Sequence, residues 1–267
     1  MVAEQGGGGK PAGALNGSSW AWRMARIGGI LIDKDGTLLD FEATWSPVLR
    51  RLALDAAGAD RDAAEAMLVA GGLDPATGRY GPDSIIGAGT TEQIARLFHP
   101  TLEGFSFIAR IEQIDKALRK HGMRNAVPID GAWEALEALA GMGLAMGVAT
   151  NDRTMAAKET LAAVDMDRYL PHVFGFDSVA APKPAPDMVN AFAAATGVPV
   201  AEIVVVGDNR ADLRMARAAG AGFAIGVTSG NSQASDLAVL ADAVLDSIRE
   251  VPAWVAESNR RSPQNKK

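Results

Sequence analysis

The sequence predicts an α/β fold, a doubly wound parallel sheet with a helical unit inserted after its first strand. Three observations carry that expectation. Short apolar runs alternate with helix-like stretches of about 10–15 residues through the second half of the chain. One further apolar run, Ile27 to Ile32, stands alone near the start. Roughly 85 residues of helical pattern, with no convincing strand, separate it from the rest.

Each element follows from its residues. Ile27-Gly28-Gly29-Ile30-Leu31-Ile32 reads as a buried strand. Residues 41–127 hold helix candidates at Trp45–Ala57, Arg61–Ala70, Thr90–Phe98 and Ile108–His121. Gly71-Gly72, Asp74-Pro75, Gly81-Pro82 and His99-Pro100 punctuate that stretch. Pro128 marks the return to the sheet. Trp133, Leu136, Leu139 and Ala140 then recur at helical spacing, and Leu144–Ala149 reads as a strand. Thr154–Val164 is a helix and His172–Phe176 a short strand. Pro184 and Pro186 suit the start of a helix that runs to Thr196. Ile203-Val204-Val205-Val206 is the clearest strand, and Ala211–Ala219 is a helix stopped by Gly220. Phe223–Val227 and Ala243–Leu245 complete the sheet. The expected organisation is a flexible tail over 1–22, an α/β core over 23–40 and 128–256, a helical unit over 41–127, and a loose tail over 257–267.

Composition narrows the function classes. The chain has 26 basic and 32 acidic residues, a formal charge of -6, with no basic run or stripe. That argues against a nucleic-acid surface. The absence of cysteine excludes disulfides, thiol catalysis and cysteine metal sites. No run of about 18 apolar residues exists, so no membrane span is expected. Met1 to Ser19 has neither an apolar h-region nor an arginine, which argues against a secretory signal or transit peptide. The expectation is a cytoplasmic protein, monomer or homodimer.

Four polar sites follow apolar runs. The first is Asp33-Lys34-Asp35-Gly36-Thr37, two carboxylates and a glycine turn at the end of the first strand. The second is Thr150-Asn151, a hydroxyl and an amide able to donate to an oxyanion. The third is Lys183, a single cation aimed by the prolines at 182 and 184. The fourth is Gly207-Asp208-Asn209-Arg210-Ala211-Asp212, with two carboxylates across a strand-to-helix turn. In a doubly wound sheet such strand ends converge on one crevice.

In this order, Asp-x-Asp-Gly-Thr, Thr, Lys-Pro and Gly-Asp-x-x-x-Asp, the motifs resemble those of the haloacid dehalogenase superfamily over about Ile27 to Ser247. The helical insertion is similar to that family's C1 cap. Lys183-Pro184-Ala185-Pro186-Asp187 and Gly226-Val227-Thr228-Ser229-Gly230 look most like the phosphoglycolate phosphatase-like group. The resemblance implies a Mg²⁺-dependent phosphatase acting on a small phosphorylated metabolite. Asp33 would be the nucleophile that forms an aspartyl-phosphate, and Asp35 the general acid and then base. The Asp33 side chain, the Asp35 backbone carbonyl and the Asp208 side chain would ligate the metal. Asp212 would stand behind them, positioning a bound water or Lys183. Lys183, Thr150 and Asn151 would bind the phosphoryl group together with the two aspartates. Thr37 would orient Asp35.

Within the superfamily, Asp35 and Asp208 argue against a hydrolytic dehalogenase, which needs neither a second carboxylate nor a metal. No lysine lies between Asp35 and Lys116, which argues against the early cap lysine of phosphonoacetaldehyde hydrolases. Trp45 stands near the place where β-phosphoglucomutases carry a histidine. Lys34 departs from the usual apolar residue between the two aspartates, and strand alternation would point it elsewhere. In the cap, Thr44, Arg50, Arg79, Thr90 and Thr91 are the polar candidates for substrate contact. 2-Phosphoglycolate is the first compound to try. The alternatives are a sugar-phosphate phosphatase or phosphomutase, and a non-catalytic protein that binds a phosphate ligand.

Overall fold

Six strands form one sheet in which every pairing is parallel. They are β1 (Gly29–Asp33), β2 (Ala145–Ala149), β3 (His172–Phe174), β4 (Ile203–Gly207), β5 (Phe223–Val227) and β6 (Ala243–Leu245). Their spatial order is β3-β2-β1-β4-β5-β6. The order therefore reverses between β1 and β4, and a crevice opens beyond their carboxyl ends. The computed structural model describes residues 26–262. The expected tail over 1–22 and residues 263–267 lie outside the described residues.

Strand alternation divides the core into two apolar layers. Ile30, Ile32, Val204 and Val206 face one layer, which α6 (Ala132–Gly141), α7 (Thr154–Ala163) and α11 (Val251–Arg261) cover with Leu136, Leu161 and Val255. Leu31 and Val205 face the other, covered by Phe192 of α8 (Asp187–Thr196) and Leu213 of α9 (Arg210–Ala219). Burying one such aliphatic side chain contributes about 1.5–3 kcal/mol. Strands covered on both faces need apolar residues at every position, which is why Ile203-Val204-Val205-Val206 shows no alternation.

Between β1 and α6 the chain builds a helical layer: α1 (Phe41–Ala56), α2 (Arg61–Ala70), α3 (Ile85–Ala88), α4 (Thr91–Phe98) and α5 (Gly104–Asn125). It has an apolar cluster of its own, including Trp45, Leu49, Leu68, Tyr80 and Phe98. The chain leaves and re-enters the core side by side. The Asp40 amide donates to the Val127 carbonyl at 2.8 Å, and the Ile129 amide to the Leu38 carbonyl at 2.9 Å. A short helix, α10 (Ala234–Leu237), follows β5.

β1 runs Gly29–Asp33 rather than Ile27–Ile32, β3 stops at Phe174 rather than Phe176, the short α3 and α10 were not expected, and three further elements differ. α1 begins at Phe41 rather than Trp45, and Pro47 lies inside it. The Asp40 side chain caps the earlier start by accepting from the Ala43 amide. Burial of Phe41 and Trp45 outweighs the hydrogen bond that Pro47 removes. α5 extends the expected Ile108–His121 at both ends. The expected loose tail from Glu257 is helical as far as Arg261. Asn259 accepts from the Ile27 amide at 2.8 Å and so ties that helix to the start of β1, while Glu257 pairs with Arg260 and Arg261. Among the described residues no helix is long and apolar enough to cross a membrane.

Candidate active site

The crevice at the strand-order reversal collects the residues of all four motifs. Asp33 ends β1, Asp208 follows β4, Thr150 and Asn151 follow β2, and Lys183 sits in the loop before α8. Lys183 is the hub. Its Nζ donates to Asp33 Oδ1 at 2.6 Å, to Asp212 Oδ1 at 2.6 Å and to the Ala149 carbonyl at 3.2 Å. All three charged side chains are buried. Burial would push the Lys183 ammonium down, but Asp212 and Asp33 outweigh it and hold the group above the ordinary lysine value. Asp212 is held twice, because the Asn209 amide donates to its Oδ2 at 3.0 Å in a capping box that starts α9.

Carboxylate oxygens of Asp33, Asp208 and Asp212 lie within 4.8 Å of one another. Burial pushes the Asp33 carboxyl up to about 7, against the pull of Lys183 and with Asp212 and Asp35 adding to the rise. Burial, then Asp33 and Asp212, pushes Asp208 well above the ordinary carboxylate range. Such a set of hard oxygen donors, costly to keep anionic together, fits a divalent cation such as Mg²⁺. Lys183 and Asn209 engage both oxygens of Asp212. Asp33 has its Oδ1 engaged by Lys183, and Asp208 its Oδ2 by the Asn231 amide at 2.8 Å. Among the described side chains of this set, Asp33 Oδ2 and Asp208 Oδ1 are the oxygens left open for such a cation.

Glycines make room for that arrangement. Gly36 has φ +83°, and a Cβ there would stand 2.6 Å from the Asp208 carboxylate. A Cβ at Gly230 would run into the same group. Ser229 donates to the Gly36 carbonyl at 2.8 Å, which joins the β5 loop to the first motif.

Asp35 is held by two donors that the sequence did not reveal. Trp45 Nε1 of α1 donates to its Oδ1 at 2.6 Å, and Lys34 Nζ to its Oδ2 at 2.5 Å. Lys34 does not point away as strand alternation suggests. The strand ends at Asp33 and the chain turns at Gly36, so the alternation stops there. Lys34 is fully buried, 3.6 Å from Asp152 and with its Nζ 4.8 Å from the centre of the Trp45 ring. Asp35 and Asp152 outweigh the effect of burial and hold its ammonium above the ordinary lysine value.

The side chains of Thr37 and Asn151 are engaged differently from expectation. The Thr37 hydroxyl is buried and makes no hydrogen bond to Asp35. The turn is instead fixed by its backbone, with the Leu38 and Leu39 amides each donating to the Lys34 carbonyl at 2.9 Å. Asn151 spends its side chain on backbone groups. It accepts from the Lys183 amide at 3.0 Å and donates to the Lys183 carbonyl at 3.2 Å and the Ala88 carbonyl at 2.9 Å. It therefore positions the Lys183 loop against α3. Thr150 is buried at the cavity floor, and its hydroxyl accepts from the Asp152 amide at 3.1 Å.

Of the helical-layer candidates, Thr91 lines the cavity. Thr44 is buried and accepts from the Val127 amide at 3.0 Å, and Thr90 caps α4. Arg79 donates to the Gly230 carbonyl at 2.8 Å, and Arg50 pairs with Glu65 on the surface.

Comparison with known proteins agrees with this geometry. A family model described as haloacid dehalogenase-like hydrolase matches residues 27–220. The chain is 29% identical over 205 residues to the phosphoglycolate phosphatase of Neisseria meningitidis, covering 71% of this chain and 83% of that protein. It is 34% identical over 146 residues to the probable phosphatase IndB of Dickeya dadantii, covering 54% of this chain and 63% of that one, less than two thirds of its length. A crystal structure of a predicted phosphoglycolate phosphatase from Haemophilus somnus superposes with a TM-score of 0.66 at 20% identity, over 86% of this chain and 99% of that one, and shares the fold. With most of its length matched by the family model, the chain belongs to the haloacid dehalogenase-like hydrolases.

Proposed function

We propose that the protein is a Mg²⁺-dependent phosphatase that hydrolyses a small phosphate monoester through an aspartyl-phosphate on Asp33. The observation that carries this reading is the convergence of Asp33, Asp208 and Lys183 at the carboxyl ends of β1 and β4. Attack by Asp33 on phosphorus forms an acyl phosphate as the ester P–O bond breaks, and Asp35 gives its proton to the departing alkoxide. Asp35 then takes a proton from the water that attacks the same phosphorus, which frees phosphate and restores the Asp33 carboxylate. Lys183 and Thr150 stabilise charge on the transferring oxygens. Mg²⁺ held by Asp33, Asp208 and the Asp35 carbonyl would neutralise phosphate charge that otherwise repels the carboxylates.

Trp45 and Lys34 hold the two oxygens of Asp35, one each, and fix its carboxyl group in place. Trp45 belongs to α1, so the helical layer, acting as a cap, reaches directly onto the proton-transfer group.

Phosphate release from 2-phosphoglycolate, sugar phosphates and nucleotides in the presence of Mg²⁺ tests this reading. The expected result is release that stops on chelation and returns with Mg²⁺. No release from any ester would overturn it. Release that persists through chelation would remove the metal from the mechanism.

A further inference from the structure

The helical layer contributes an apolar wall to the cavity that the carboxylates also line. Phe41, Trp45, Leu49, Ile86, Ile94 and Leu118 line it. Thr91 adds a hydroxyl, and the indole N–H of Trp45 is already committed to Asp35. The floor is acidic, since Asp35, Asp152 and Asp208 line it beside Asp33 and Asp212. Among the described lining residues Lys183 is the one cation, and Asp33 and Asp212 each hold its ammonium at 2.6 Å. Neighbouring cations are engaged elsewhere. Arg79 binds the Gly230 carbonyl, Arg210 pairs with Asp83 at 2.7 Å, and Lys34 is sealed beneath Asp35.

The site therefore supplies counter-charge for a phosphoryl group and none for a second anion. A carboxylate on the leaving group would give up its hydration against an apolar wall. No described lining cation is free to offset that cost, because Lys183 is committed to Asp33 and Asp212 and the nearby Lys34 to Asp35. An apolar leaving group would gain from burial against the same side chains. We infer that the site selects phosphate monoesters whose leaving alcohol is uncharged and largely apolar, and that it discriminates against esters carrying a second anionic group. The inference rests on the phosphatase reading and sharpens it. It places 2-phosphoglycolate among the slow substrates.

A matched pair of esters tests it. Benzyl phosphate and 4-(phosphonooxymethyl)benzoate share the reacting linkage and differ in one remote carboxylate. The full chain with Mg²⁺ is expected to show kcat/KM at least about tenfold higher for benzyl phosphate, with 2-phosphoglycolate on the slow side. An equal or higher value for the benzoate overturns the inference. Leu118 is a half-buried wall position, so Leu118→Arg offers a cation where a leaving-group carboxylate would lie. In the folded variant the ratio should move at least about tenfold toward the benzoate, and an unmoved ratio also overturns the inference. The wild-type comparison decides the matter if that variant does not fold. 4-Nitrophenyl phosphate separates the two levels of argument. Phosphate release from it without preference within the pair overturns the inference alone. Release from none of the four esters overturns the inference, and the phosphatase reading falls with it when sugar phosphates and nucleotides release nothing either.

Discussion

Aspartates and basic side chains pair both at the strand ends and on the outer helices, with opposite consequences. In the core, Lys183 stands between Asp33 and Asp212, and all three are buried. In the helical layer, Arg50 pairs with Glu65 at 3.4 Å and Arg51 with Asp55 at 3.0 Å, all largely exposed. Exposed pairs contribute about 0–1 kcal/mol each. Buried ones cost several times that to break, because the partner left behind has lost its water. The costly charges thus gather in the crevice beyond β1 and β4, where the proposed chemistry would use them. The helical layer turns an uncharged face to the same cavity. On the proposed function, reaction and selection would fall to different elements.

The largest effect is expected from the core. Asp33→Asn removes the nucleophile's charge while preserving its shape, and phosphate release should fall by about 10⁴-fold or more. Retained circular dichroism and thermal midpoint would show that the fold survives. Activity within tenfold of wild type would mean that another group attacks phosphorus.

Next comes Lys183→Met against Arg50→Ala, the same kind of deletion in the two settings. Losing Lys183 leaves two buried carboxylates that it now holds at 2.6 Å each. Without metal, denaturant unfolding should show a loss of about 3–5 kcal/mol. Added Mg²⁺ should return part of it, since a cation can take over the charge balance by binding only the folded state. The rate should fall by about 10²–10³-fold. Arg50→Ala should change stability by less than about 1 kcal/mol and leave turnover alone. Equal stability losses in the two variants would erase the distinction between the regions.

The same division explains what could be read from the chain. β5 and β6 were legible to the residue, and β4 nearly so, because strands covered on both faces leave a continuous apolar signature. Three of the four motifs were legible because each sits where such a run stops, whereas Lys183 lies in a loop well past β3 and was marked by its flanking prolines. The hold on Asp35 was not. Trp45 reaches it only through the packing of α1, whose start was obscured by Pro47, and Lys34 reaches it only because the strand ends at Asp33. Asn151 carried the right residue type for an oxyanion donor, but its partners lie at Lys183 and Ala88, distant in sequence. The apolar wall was hidden for the same reason, since α1, α3, α4 and α5 each contribute to it. Local periodicity fixes an element and one of its faces, while contacts between elements decide what that face meets.

Trp45 belongs to both regions, and among the variants at the candidate site the smallest predicted effect falls there. Its ring lines the wall while its Nε1 donates to Asp35 at 2.6 Å. Trp45→Phe keeps an aromatic wall and removes the N–H. If Trp45 serves proton transfer, kcat should drop by about tenfold with KM for a neutral ester nearly unchanged, because a lost hydrogen bond to a charged group is worth about 1.5–3 kcal/mol and Lys34 still holds the other oxygen. If Trp45 serves only the wall, kcat should hold and KM should rise with the lost contact area. A change confined to KM would return Asp35 to the core alone, and the helical layer would then select substrates without touching the chemistry. A change confined to kcat would join the two regions at one side chain, so that whatever seats the leaving group against the wall also sets the proton donor beneath it.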